Sequence, residues 1–186
     1  IKRLSAIKAV EIQVAAQFTI GNPSPALQIE LTQLISTIRH YDEQIDEIQA
    51  QINEILTQID SPLLSIIGIG QRLGAIILAE IKNIDNFSSP AQLQAFAGLE
   101  PSIYQSGQMN NLGRMVKRGS HYLRYALIQA AKLICVHSPH FQAYLTMKRS
   151  QGKHYNVAVS HAAKKLIRII YHLLKTNQTF DETKLR

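Results

Sequence analysis

The chain has no tryptophan and one cysteine, Cys135. A single thiol cannot close an internal disulfide, so the fold must be held by its core. No apolar run approaches the roughly 20 residues that a membrane span requires, and the opening "IKRLSAIKAV" has neither the apolar stretch nor the cleavage site of a secretory signal. These absences predict a cytoplasmic protein with no membrane partner. The first residue is Ile1 rather than methionine, which reads as a piece of a longer polypeptide. The most informative absence is acidic. Between Glu100 and Asp181 there is no aspartate or glutamate, while twelve Lys/Arg and six His lie in that interval.

What is present divides unevenly. Residues 1–60 carry four Lys/Arg against eight Asp/Glu, and residues 61–186 carry sixteen against five, within an overall net charge of +7. A surface with many cations and almost no acids attracts polyanions, of which nucleic acid is the usual one. A basic face kept only for solubility would mix both signs. The 46% hydrophobic content is enough for a packed core.

From Leu27 onward, apolar residues fall at 31, 34, 38, 41, 45, 48, 52, 55 and 59, in alternating steps of three and four. That spacing predicts one long coiled-coil helix. A shorter helix carrying Leu4, Ile7, Val14 and Phe18 precedes it across "GNPSP", which suggests an antiparallel hairpin. The first helix is about half the length of the second, so the rest of the seam needs a partner chain, and a homodimer or higher homo-oligomer is expected. Asp60-Ser61-Pro62 closes this region, giving domains at 1–60 and 61–186. The remainder reads as helices near 120–136, 139–150 and 155–176, a short helix from Pro90 to Gly98, and a small β-hairpin or extended loop over 102–118. The expected fold class is all-α.

"LLSIIGIGQRLGAIILAEI" reads as two helices around the turn Gly68-Ile69-Gly70 and resembles a helix-hairpin-helix. Glycines there let backbone N–H groups approach a phosphate at a helix N-terminus; the same glycines would also serve close helix packing. Arg114, Lys117, Arg118 and Arg124 form the densest basic cluster and are candidates for phosphate contacts. Lys153, with Lys148 and Arg149, and the trio Lys164, Lys165 and Arg168 are weaker candidates of the same kind. Tyr122 and Tyr125 read as packing residues. Cys135, His137 and His140 supply metal-ligand types, but no fourth ligand stands at a recognisable spacing, so no metal site is assigned. Ser106-Gly107 in "IYQSGQ" marks a turn. A serine on a carboxylate-free basic surface could also attack a phosphodiester, with cations stabilising the developing charge.

Four segments together carry a family resemblance: "IIGIGQRLGAIILAEI", "FSSPAQLQAFAGLEPSIYQSGQ", "KRGSHYLRYALIQAA" and "HSPHFQAYLTMKRSQGKHYNVAVSHAAKKLIRIIYHLLK". Over about 62–178 the chain resembles the C-terminal transposase domain of the insertion-sequence one-hundred-and-ten family, which includes the pilin-gene inverting recombinases. The resemblance implies a DNA recombinase in two parts. A RuvC-like domain, absent from these residues, would hold a divalent metal such as Mg on four acidic residues, and the domain seen here would supply a serine, Ser106, as nucleophile. It also implies a structured guide RNA alongside DNA, a nucleoid-associated location, and Gly107, Arg114, Lys117, Arg118 and Arg124 near the nucleophile or the nucleic acid. No cofactor is expected within this chain, and alone it is expected to be inactive. Two other readings stay open: a non-catalytic helix-hairpin-helix scaffold for nucleic acid, and a purely structural oligomerisation module.

Overall fold

The computed structural model describes residues 5–21, 24–106 and 109–185, with 102–106 and 109–114 described by their backbone alone. The chain divides into two compact units, 1–46 and 47–186, so the unit boundary falls inside the long helix rather than at Asp60.

The first unit holds α1 (Ala6–Gln17) and the start of α2 (Pro25–Ile59). Ser5 caps α1 by accepting from the Lys8 amide at 3.3 Å. The heptad pattern does make α2 one continuous helix of 35 residues. The expected covering of its seam by α1 is not found. No described residue of this unit is buried, and Ile7, Val14 and Phe18 on α1 and Leu31, Ile38 and Ile45 on α2 all stay exposed.

The second unit begins with the end of α2 and continues with α3 (Gln71–Ile81), α4 (Pro90–Phe96), the strands β1 (Pro101–Ser106) and β2 (Met109–Met115), α5 (His121–His137), α6 (Pro139–Ser150) and α7 (Tyr155–Thr176). Its helices start where side chains can receive orphan amides. Ser89 caps α4, Ser120 caps α5 and Ser138 caps α6, and proline occupies the first turn of α4 and α6. The fold is therefore helical with one two-stranded antiparallel hairpin, β1 against β2.

Helices α5 and α7 form the centre. Ala126, Ala130 and Ala131 on α5, with Ala158, Ala162 and Ala163 on α7, are all fully buried. Small residues there allow the two backbones to approach closely, while Leu123, Leu127, Ile134, Leu166, Ile167 and Ile170 fill the space beside them. Burying each such leucine or isoleucine is worth about 1.5–3 kcal/mol. Phe141 from α6 and Leu93 from α4 close the same core.

The segment before α3 departs from expectation. In place of a full first helix, Pro62–Ser65 makes a single 3-10 turn. Ser61 caps it and Ile66 already leaves it in extended conformation, so only one arm of the expected helix-hairpin-helix, α3, is a complete helix.

Candidate nucleic-acid interface

The hairpin is held at its base. The backbone pairs Ser106 with Met109 at one end and Pro101 with Met115 at the other, with an irregularity between Pro101 and Ile103. The pairing then runs on past the strands: the Val116 amide donates to Glu100 O at 3.0 Å and the Lys117 amide to Gly98 O at 3.2 Å. Ser120 donates its amide to Phe96 O at 2.9 Å, and its hydroxyl donates to a Glu80 carboxylate oxygen at 2.6 Å while accepting from the Leu123 amide. One serine thus caps α5, binds α3 and ties both to α4.

Two glycines make this base possible. Gly98 has φ +66, and a Cβ there would lie 2.2 Å from Arg118 O. Gly119 has φ +96, and a Cβ there would lie 2.1 Å from Phe96 O. Neither a left-handed backbone nor such an approach suits a residue with a side chain.

The basic residues separate into distinct roles. Lys117 and Arg118 are exposed on the loop that leaves β2. Arg124 is half-buried, and its Nη1 donates to the carbonyls of Ala97 and Lys117, each at 3.2 Å. It braces the loop from inside rather than standing out as a free fork. Ser106 is the last residue of β1, whereas Arg114 lies near the far end of β2. Five residue steps separate Met109, the partner of Ser106, from Arg114, roughly 17 Å along an extended strand. Along the backbone, Arg114 therefore stands well away from Ser106. Gly107 lies outside the described residues.

The glycine turn before α3 also divides. Gly68 has φ +92, and a Cβ on it would meet the Ile134 amide nitrogen at 2.9 Å, so its bareness serves close packing against α5. Gly70 is exposed at the N-cap of α3, with no capping side chain and open space where a Cβ would stand. Of the pair, Gly70 alone leaves backbone amides of a helix N-terminus accessible.

Sequence reasoning misplaces Tyr122 and Tyr125, which are 59% and 55% exposed. They lie on the side of α5 away from Leu123 and Leu127, in the first turns next to Lys117 and Arg118. His121 stacks against Tyr122 with ring centroids 3.9 Å apart. Aromatic faces beside exposed cations suit unpaired bases. The signal for this is present in the sequence: on a helix, positions 122 and 125 share a face that 123 and 127 do not.

A second basic area lies on α6 and α7. Lys153 is exposed in the loop between them, which Gly152 turns with φ +77. His161 is held below its ordinary pKa, first by burial and then by the charges of Lys164, Lys148 and Lys153. Burial also lowers Lys164 and Lys165. For His161 the depressed folded pKa means that the unfolded chain binds the proton more readily. Its contribution to stability is present above the unfolded value near 6.5 and is lost as pH falls through the folded value. We expect the melting temperature to fall from neutral pH toward pH 5, less steeply in His161→Gln; thermal melts across that range check it.

Among the described residues no three of His, Cys, Asp and Glu come together as a metal site. Cys135 is buried, and burial pushes its thiol up to about 11, leaving it protonated and unreactive. His140 contacts Lys165 instead of joining it. Nor, among the described residues, is any helix long and apolar enough to cross a membrane.

Comparison with known proteins bears on these same elements. Residues 60–146 match the family described as Transposase IS116/IS110/IS902. The chain is 27% identical over 161 residues to the 43.6 kDa protein of insertion element IS110 from Streptomyces coelicolor, covering 86% of this chain and 40% of that protein. It is 28% identical over 153 residues to the pilin gene-inverting protein of Moraxella bovis, covering 78% and 48%. To the mini-circle putative transposase for IS117 of Streptomyces coelicolor it is 30% identical over 121 residues, covering 64% and 29%. The chain thus spans less than half the length of these relatives.

Proposed function

We propose that this chain, whose residues 60–146 match the Transposase IS116/IS110/IS902 family, is the part of a DNA recombinase that grips nucleic acid and presents Ser106 as the nucleophile. The observation that carries this reading is the anchored hairpin. A serine stands at the end of a strand whose base is stitched to α3, α4 and α5, on a surface without carboxylates between Glu100 and Asp181. In the step, Ser106 Oγ attacks a phosphodiester phosphorus and loses its proton. A P–O bond to deoxyribose breaks, the departing oxygen takes up a proton, and a phosphoserine link conserves the bond for rejoining. Lys117, Arg118, Tyr122 and Tyr125 hold the flanking nucleic acid at the hairpin base, with cations neutralising phosphates and rings meeting unpaired bases.

In this reading the acidic residues for metal chemistry come from a separate domain of the full-length protein. Guide RNA is a second ligand of the same basic surface in this reading. The test uses the full-length protein with divalent metal, RNA and donor DNA, a denaturing gel for a protein–DNA adduct, and mass spectrometry of the adduct. A nucleotide mass on the peptide containing Ser106 supports the proposal. An adduct mapped to another residue, or strand exchange without any adduct, overturns it and leaves the nucleic-acid scaffold.

The bare seam of α2 supports self-association of this protein. Leu31, Ile38, Ile45 and Ile59 repeat every seven residues or a multiple of seven and remain 52–59% exposed, an arrangement that a second copy of the helix would cover. Ile38→Asp with Ile45→Asp should convert an oligomer to monomer in sedimentation at unchanged helix content. A wild-type chain that sediments as a monomer would refute the association.

A further inference from the structure

On α7 the residues His161, Lys164, Arg168 and His172 recur at spacings of three and four, which places them along one helical face. They line a cleft of about 600 Å³. The tail after α7 contributes Phe180 and Lys184 to the same lining, as do Tyr144 and Leu173. This tail is pinned in place. The Phe180 amide donates to Ser65 Oγ at 2.7 Å, and the Glu182 carboxylate accepts from Ser138 Oγ at 2.5 Å and from the His140 amide at 3.3 Å.

The charge in this cleft is unbalanced. Among the described residues the one acid lining it, Asp181, is engaged by the Thr183 amide and hydroxyl at 3.0 and 2.6 Å and by Lys184 at 3.6 Å. Among the described residues neither Lys164 nor Arg168 has an ion-pair partner. Holding cations together without anions is unfavourable: burial depresses both His161 and Lys164, and the charges of Lys164, Lys148 and Lys153 lower His161 further. An anion would relieve this. The apolar and aromatic lining, with Tyr144 lying 5.1 Å from Lys165 Nζ and 5.4 Å from Lys148 Nζ, suits a ligand that is flat and apolar beside its charge. Nearly all of the cleft lies beyond residue 146, outside the segment that matches the transposase family.

We propose that this cleft binds a phosphodiester strand in single-stranded form, with Lys164, Arg168 and Lys184 on phosphates and a base against the apolar lining. A cleft of this size admits a nucleotide of a flexible strand, while a duplex is too wide to enter it. The proposal rests on the nucleic-acid reading of the surface but not on Ser106.

The test measures fluorescence anisotropy of labelled oligonucleotides of about 12 nucleotides, as DNA and as RNA, single-stranded and duplex, with the 186-residue chain over about 0.05–0.2 M salt. The variant Lys164→Gln/Arg168→Gln should weaken single-strand binding about tenfold. It should also flatten the salt slope by about 1.4, or about 0.7 for each phosphate that is no longer neutralised, with duplex binding unchanged. An effect with DNA alone or with RNA alone identifies which strand occupies the cleft. Lys117→Gln/Arg118→Gln separates this site from the hairpin base. If that variant removes single-strand binding and the cleft variant does not, the cleft assignment falls and the general reading stands. If neither has an effect, both fall. Equal weakening for single strand and duplex, or tighter binding of polyglutamate than of any oligonucleotide, also overturns the cleft. Removing mutually repelling cations should not lower the melting temperature. Should it do so, Lys184→Gln, at an exposed position of the tail that also lines the cleft, carries the test with about a threefold expected weakening.

Discussion

Ser106→Ala, placed in the full-length protein with its metal and nucleic acids, should abolish the covalent protein–DNA adduct and slow strand exchange by at least about 10³-fold. Affinity for the same DNA should stay within about twofold. The large effect follows from chemistry: alanine has no oxygen to bond to phosphorus, and water attacking in its place would release the strand instead of conserving the link. The small effect follows from the fold. Ser106 pairs with Met109 through its backbone, so alanine keeps the strand, and the backbone of Arg114 stands roughly 17 Å away along the ribbon. A scaffold that uses Ser106 only as a turn residue would lose nothing in either measurement. Ser106→Ala with full adduct formation would therefore remove the nucleophile assignment and leave the binding surface intact.

Gly98→Ala and Gly119→Ala should each destabilise the folded chain by about 3 kcal/mol or more. In a unit of this size that is a drop of about 6–12 °C in melting temperature. Both positions have positive φ, and the added carbon would stand 2.2 Å and 2.1 Å from backbone carbonyl oxygens of Arg118 and Phe96. Backbone cannot swing aside as a side chain can. Gly98 also lies against Arg124 Nη1, so the substitution would disturb the bonds from Arg124 to Ala97 and Lys117 as well. Gly70→Ala serves as the comparison. Its φ is −80 and nothing lies within 4 Å, so it should cost at most about 1 kcal/mol, the difference between glycine and alanine at an N-cap. Denaturant unfolding of the three variants checks the ranking; equal effects at Gly98, Gly119 and Gly70 would show that the hairpin base is not held as described.

How far the site is legible without the structure depends on the residue. Ser89-Pro90 and Ser138-Pro139 announce their helix starts because the capping oxygen and the proline act within a few residues of each other. Over 102–118 the sequence leaves a hairpin and an extended loop both open, and the strand pairing decides for the hairpin. Arg124 is not assignable: its guanidinium meets carbonyls of Ala97 and Lys117, the former 27 positions away, and nothing local distinguishes such a brace from a phosphate contact. Gly68 and Gly70 look alike in "GIG", yet one packs on α5 and the other faces solvent. Tyr122 and Tyr125 read as core from their ring area alone, and their helical phase corrects that.

Most of the helices, their serine caps, the long apolar seam and the carboxylate-free basic stretch are legible in the chain, because periodicity, capping and charge act over a few residues or simply accumulate; the helix expected before the glycine turn, which is only a 3-10 turn, is the exception. Only the tertiary structure decided which cations are braces and which are exposed. It also set Ser106 well away from Arg114 along the hairpin and brought the tail across α7 to make a cleft with Lys164, Arg168 and Lys184. Those outcomes depend on pairings between residues far apart in the chain, where packing of the α5–α7 core sets the geometry that no local pattern encodes.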